Sequence, residues 1–166
     1  MQAERSAFPV WKNIAALVVA IAVPLAIGGI GSVATSSAIP GWYAQLELPD
    51  WAPPDWVFGP VWTALYIAMG MAAWLVWRQG WHWPRVRVAL ALFTAQLLLN
   101  LGWTLIFFGL ESIVSGWVEI IVLWAFILAT IVAFARVHVI AALLLVPYLA
   151  WVTFATAPNA AIWRLN

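Results

Sequence analysis

Gln96, Asn100, Trp103 and Phe107 recur at intervals of four, three and four residues, a spacing that puts them on one face of a helix. Two amides beside an indole can hydrogen-bond a polar edge and stack on a flat ring. For Gln96 and Asn100 two roles fit this spacing equally. One is a bond to a neighbouring helix, about 0.6–2 kcal/mol in a membrane, and the other is contact with a ligand. Trp62, Tyr66 and Trp151 offer aromatic surface of the same kind.

Other chemistries are excluded. There is no cysteine, hence no disulfide framework, thiolate nucleophile or thiolate metal site. No Asp, Glu or His cluster has metal-ligand spacing. The two histidines, His82 and His138, sit in basic loops away from the aromatic residues, so an in-membrane haem with imidazole ligands is not expected. The acids lie at the opposite ends of the helices from the histidines, which rules out a Ser–His–Asp set. Glu119 is the one acid inside an apolar run, about two turns in; such an acid can mark a proton path or reach back to the interface, and the second is expected. A net charge of +1 gives no electrostatic footprint for nucleic acid.

These residues are carried by elements that composition identifies. The chain is 66% hydrophobic and 8% charged, far below the roughly 25% charge of a soluble domain. Its mean hydropathy is +1.00. Thirteen charged side chains cannot cover a water-facing surface, so the solvent is lipid. A bilayer core takes about 20 apolar residues per helix, and five runs qualify: 14–36, 58–78, 86–108, 113–135 and 138–160. All are too long and too continuously apolar for barrel strands. The expectation is an all-α integral membrane protein, a five-transmembrane-helix bundle in a single domain over 1–166.

The first run resembles a signal peptide, with Arg5 and Lys12 before it and "SVATSSA" after it. Its apolar stretch exceeds the 7–15 residues of a signal core, so it is read as a retained helix. Pro24 and the glycines at 28, 29 and 31 point to a kink or to close packing there. Six of the seven basic residues, Arg5, Lys12, Arg78, Arg85, Arg87 and Arg136, fall on one side. Glu47, Asp50, Asp55 and Glu111 fall on the other, with Arg164. By the positive-inside rule the N-terminus is cytoplasmic, and the C-terminus and the loop over 37–57 are outside.

This topology brings the aromatic residues to one level. Trp62 and Tyr66 lie one and two turns into the second run. At 1.5 Å rise per residue, Trp103 is about 8 Å and Asn100 about 12 Å from the same face. Trp151 is near mid-depth, with Ala155 and Pro158 above it. Interfacial anchoring accounts for Trp11, Trp42, Trp77, Trp81, Trp83 and Trp163, but less well for the deeper Trp103 and Trp151.

The stretches "WYAQLELPDWAPPDWVFGPVWTALY" (42–66), "AQLLLNLGWTLIFFG" (95–109) and "VPYLAWVTFATAPNAAIWRLN" (146–166) closely resemble the tryptophan-rich sensory protein and translocator protein family, TspO. The resemblance implies a five-helix membrane protein, commonly a homodimer, with a pocket under the first loop. Members bind porphyrins such as protoporphyrin IX and synthetic benzodiazepine-type ligands, with no resident cofactor or metal. Some bacterial members are reported to promote light-dependent porphyrin breakdown, and others look like sensors of tetrapyrrole metabolism.

The family's pocket residues correspond to Tyr43, Pro53, Trp62, Tyr66, Asn100, Trp103, Trp151 and Ala155, joined by Gln96 from spacing alone. Were the protein an enzyme, Trp62 and Trp151 would be the catalytic candidates. The expected partners are a tetrapyrrole or another flat aromatic molecule, membrane lipid and a second copy. Cholesterol is not assigned, because alanines stand at 160 and 161 where the animal sterol motif has tyrosines. The outer membrane is normally the home of β-barrels, so the cytoplasmic membrane is favoured over the bacterial outer membrane.

Overall fold

The computed structural model describes residues 9–166, so Arg5 lies outside the described residues. Five helices are long and apolar enough to cross a membrane: α1 (Val10–Ala38), α2 (Phe58–Trp77), α3 (Pro84–Thr104), α4 (Ile113–Ala135) and α5 (Val139–Leu165). Among the described residues there is no strand. The protein is an all-α, multi-pass integral membrane protein.

Local sequence sets the helix ends. Pro84 opens α3, where its missing N–H is harmless and its fixed φ is already helical. The His138 Nδ1 accepts the Ala141 N–H at 3.3 Å and caps α5. Gly80, at φ 109°, allows the tight α2–α3 turn.

The runs read from sequence differ from these helices mainly at their ends. The first helix begins at Val10 rather than 14, and α5 continues to Leu165 rather than 160. Unpaired backbone groups cost several kcal/mol in lipid, so α1 stays unbroken at Pro24 and α5 at Pro147 and Pro158. The third run changes character at its C-terminal end. Leu105–Gly109 forms a π turn, in which the Leu110 N–H donates to the Leu105 carbonyl at 2.8 Å.

Packing runs α1 on α2, α2 on α5, α5 on α4 and α4 on α3, with the C-terminal half of α1 also meeting α3 and the π turn. Lipid supplies no hydrophobic drive between helices, so close van der Waals fit must hold them. Glycine provides it at two crossings. A Cβ on Gly70 would lie 2.5 Å from the Ile21 Cα, so α1 and α2 touch backbone to backbone. A Cβ on Gly116 of α4 would lie 2.8 Å from the Phe107 ring. Large apolar residues such as Val18, Val33, Leu98 and Leu143 remain exposed, as a helix in lipid requires.

The loop between α1 and α2 folds back over the end of the bundle where α1 ends and α2 begins. It holds two short 3₁₀ turns, Tyr43–Gln45 and Asp55–Val57. Trp42 and Tyr43 stand edge-on to Phe107, with ring centroids at 5.6 and 6.3 Å, and Trp51 stands edge-on to Phe154 at 6.4 Å. Asn166, just past α5, fastens the loop. Its Oδ1 accepts the Glu47 N–H at 3.0 Å, and its Nδ2 donates to the Glu47 carbonyl at 3.2 Å.

Candidate functional site

Beneath this loop, in the half of the bundle that it covers, lies a cavity of about 540 Å³. From above, Tyr43 closes it. Its side walls are Phe58, Trp62 and Tyr66 of α2, Trp103 of α3, Phe108 of the π turn, and Trp151, Val152 and Ala155 of α5. Ile120 and Leu123 of α4 form the back, and α1 contributes Leu25 and a run of small residues from Gly28 to Ser36. The exposed part of the lining is confined to Gly29, Ser32 and Ser36 on α1 and to Asp55, Gly59 and Thr63 at the start of α2. The mouth therefore opens sideways between these two helices. They touch lower down at Gly70 and separate above it.

The walls are built from mutually packed rings. Trp62 stacks on Tyr66 at 5.4 Å and meets Tyr148 edge-on at 6.1 Å. Trp103 stacks on Phe107 at 5.5 Å and meets Phe108 edge-on at 5.9 Å. Trp151 stands edge-on to Phe58 at 5.9 Å. Such pairs contribute about 0.5–1.5 kcal/mol each beyond area burial, and they hold the rings still for a flat ligand.

Of the residues picked out by sequence, Tyr43, Trp62, Tyr66, Trp103, Trp151 and Ala155 line this cavity. Pro53 lines a smaller adjoining pocket of about 50 Å³, which shares Tyr43, Trp103 and Trp151 with the first. Asn100 and Gln96, each 1% exposed, line neither. Asn100 stands behind the wall, where its Oδ1 accepts from the Tyr66 hydroxyl at 2.7 Å and its Nδ2 donates to the Tyr148 hydroxyl at 3.2 Å. It holds Tyr66 in place rather than facing a ligand. The Gln96 Nε2 lies 4.0 Å from the Met69 Sδ, and its Oε1 is buried without a hydrogen-bond partner. The indole N–H of Trp103 is likewise buried and unbonded.

Glu119 corrects an expectation. Its carboxylate does not reach back to the interface, and both oxygens are buried without a hydrogen-bond partner. It turns inward because Gly102 of α3 leaves room, the Oε1 lying 3.8 Å from where a Cβ would be. The small residues Gly28, Ser32 and Ser36 are used within one chain. Gly28 packs on the Tyr66 ring, while Ser32 and Ser36 line the mouth.

Two aromatic wall residues escaped the sequence reading, as did the aliphatic Val152, Ile120 and Leu123. Phe58 lies one helical turn before Trp62, so its spacing was a usable signal. Phe108 had none, because only the π turn rotates it into the cavity while Phe107 turns inward against Gly116. At the rim, burial first and the Asp55 carboxylate second push the Tyr43 hydroxyl above the ordinary tyrosine range. Among the described residues no group of three or more His, Cys, Asp or Glu side chains could hold a metal ion. The arrangement can enclose a flat apolar molecule.

A family model, the TspO/MBR family, matches residues 20–164. The chain is 48% identical over 155 residues to the tryptophan-rich protein TspO of Chlorobaculum tepidum, covering 93% of this chain and 98% of that protein. It is 45% identical over 155 residues to the tryptophan-rich protein TspO of Archaeoglobus fulgidus, covering 93% and 99%. It is also 45% identical over 126 residues to the human translocator protein, covering 75% of each. With the five-helix bundle and the loop-covered cavity already described, these matches place the chain in the TspO/MBR family.

Proposed function

We propose that the protein binds porphyrins of the protoporphyrin IX type in this cavity, to sense them or to move them across the membrane. The observation that carries the reading is the cavity itself. At about 540 Å³ it falls within the 300–1,000 Å³ typical of small-molecule sites, and its walls are packed aromatic rings. The porphyrin is the ligand, and no resident cofactor is needed. The membrane is the cytoplasmic one, with the N-terminus inside and the C-terminus outside. Two copies pair, and in the Ala125–Ala129–Ala133 row on α4, Ala125 and Ala129 are exposed and Ala133 half-buried, which leaves room for close approach.

The test is titration of purified protein in nanodiscs with protoporphyrin IX. Saturable binding that weakens a few-fold in Trp62→Phe and Trp151→Phe, and not in Trp77→Phe, is expected. Equal effects of Trp62→Phe and Trp77→Phe would reject the site.

A second reading, light-driven porphyrin breakdown, rests on Trp62 and Trp151 both lining the cavity, where an indole can give an electron to an excited ring. Under illumination in air, the Phe variants would then lose product formation far more than affinity. A product formed equally in the dark or with free tryptophan would reject it.

A further inference from the structure

The small pocket of about 50 Å³ beside the main cavity brings together polar groups that the fold leaves unpaired. Trp103 of α3 and Asn159 of α5 both line it. The Trp103 indole N–H is a buried donor without a partner, and the Asn159 Oδ1 is a buried acceptor without one. Asn159 is only 5% exposed. Its Nδ2 donates to the Ala155 carbonyl at 3.0 Å, which fixes the other amide atom as the oxygen. Both unpaired atoms are closed to solvent, and such orphans are rare in folded proteins. Tyr43, which lines both cavities, adds a hydroxyl with no hydrogen bond among the described residues. Burial first and the Asp55 carboxylate second raise that hydroxyl above the ordinary tyrosine range, so it stays a donor.

No Lys, Arg or His lines either cavity. A carboxylate would be buried there without a cation, and it has no proton to give Asn159. A carboxylic acid suits both orphans: its carbonyl oxygen accepts from Trp103, and its O–H donates to Asn159. The pocket exceeds the roughly 10–15 Å³ that one water needs, so a group of a few heavy atoms fits. Because the two cavities share Tyr43, Trp103 and Trp151, a short arm from a ring in one reaches the other. We propose that the small pocket is a subsite for one carboxyl group of the porphyrin, held in its acid form by Trp103 and Asn159 while the ring lies in the main cavity. The second carboxyl group is left to water at the open mouth. This rests on the porphyrin reading of the main cavity and fixes which way round the ligand sits.

The experiment titrates two porphyrins into protein in zwitterionic nanodiscs. One is mesoporphyrin IX, with two propionic acids, and the other is etioporphyrin III, the same ring with ethyl groups in their place. Trp103→Phe keeps a flat ring and removes the N–H, and Asn159→Leu keeps the size and removes the acceptor. Each is expected to weaken mesoporphyrin IX by about two- to tenfold, the size of one hydrogen bond. Each should leave etioporphyrin III within about twofold. Trp77→Phe, at the far end of α2, should leave the ratio of the two affinities unchanged.

Using the ratio cancels the two ligands' different partitioning into lipid and any shared effect of a substitution on folding. A second measurement needs no variant. With its carboxyl carbons isotope-labelled, mesoporphyrin IX bound to wild type should show the infrared carbonyl band of a protonated carboxyl group, at a pH where the free ligand is ionised. Carboxylate bands alone, or a ratio that Trp103→Phe or Asn159→Leu leaves unmoved, would overturn the subsite and make an ordered water the pocket's occupant. The porphyrin reading would then still stand. Binding of neither porphyrin to wild type would overturn that reading and this proposal with it.

Discussion

Asn100 shows how one buried amide can shape a cavity that it does not touch. Its two hydrogen bonds join α3 to Tyr66 of α2 and Tyr148 of α5, three helices through one side chain. Asn100→Leu removes a donor and an acceptor and leaves two tyrosine hydroxyls without their partner. Each buried group left unsatisfied costs about 1–3 kcal/mol, although membrane hydrogen bonds average nearer 0.6. The expected loss is about 1–3 kcal/mol, read as a lower midpoint of unfolding in detergent. Tyr148→Phe, which breaks one bond and keeps the ring, should cost about 1 kcal/mol or less. The ligand effect of Asn100→Leu should run through Tyr66, so Tyr66→Phe should reproduce much of it. A larger loss of affinity in Asn100→Leu than in Tyr66→Phe would argue for direct contact.

Among the elements, α1 and α2 decide whether there is a cavity at all. Their backbones meet at Gly70, where a side chain would collide with Ala20 and Ile21. Higher up, Gly29 and Gly59 have nothing within 4 Å of an added Cβ. Gly70→Leu should therefore prevent the crossing and cost more than about 3 kcal/mol, as overpacking against a rigid backbone does. It should be seen as loss of folded protein by size exclusion. Gly29→Leu should fold with a near-normal unfolding midpoint, because its new side chain points into lipid or the mouth.

The long loop is an element of another kind. Its aromatic contacts are reinforced by the Asn166 clamp on Glu47. Asn166→Ala should raise amide exchange across residues 44–50 several-fold and speed ligand dissociation more than it slows association. Unchanged exchange would show that the ring contacts alone hold the loop.

For the molecule as a whole, asymmetry of charge is what the proposed orientation rests on. Six of seven basic residues share a side, and the rule that reads them counts charges near helix ends. A reporter fused after Asn166 should be active only outside the cytoplasm. A C-terminal reporter active in the cytoplasm would invert the topology and put the cavity mouth in the inner leaflet. Pairing of two copies is tested in mild detergent. Cysteines placed singly along α4, in a chain that has none, should cross-link from Ala125 or Ala129 but not from Ile127, which is buried.

The sequence by itself determined the class of the protein and the level of the site. A chain this apolar has only helices available in lipid, because the backbone must satisfy its own hydrogen bonds. Helix rise and loop order then put Trp62, Tyr66, Trp103 and Trp151 in the same half of the bilayer. Fold class and most of the aromatic wall follow from such local and additive rules.

Which way each side chain faces was decided only by tertiary structure. The shared helical face of Gln96, Asn100 and Trp103 was legible, but whether it met a ligand or a neighbouring helix depended on α2 and α5. In the folded bundle the amides are enclosed and only the indole reaches the cavity. Glu119 turned inward because Gly102, on another helix, left space. Phe108 entered the wall through a π turn that no periodicity announces, and Asp55 acquired its place at the mouth only because α1 and α2 separate above Gly70. Spacing along one helix fixes a direction about that helix's axis. What lies in that direction is set by the close approach of the other four.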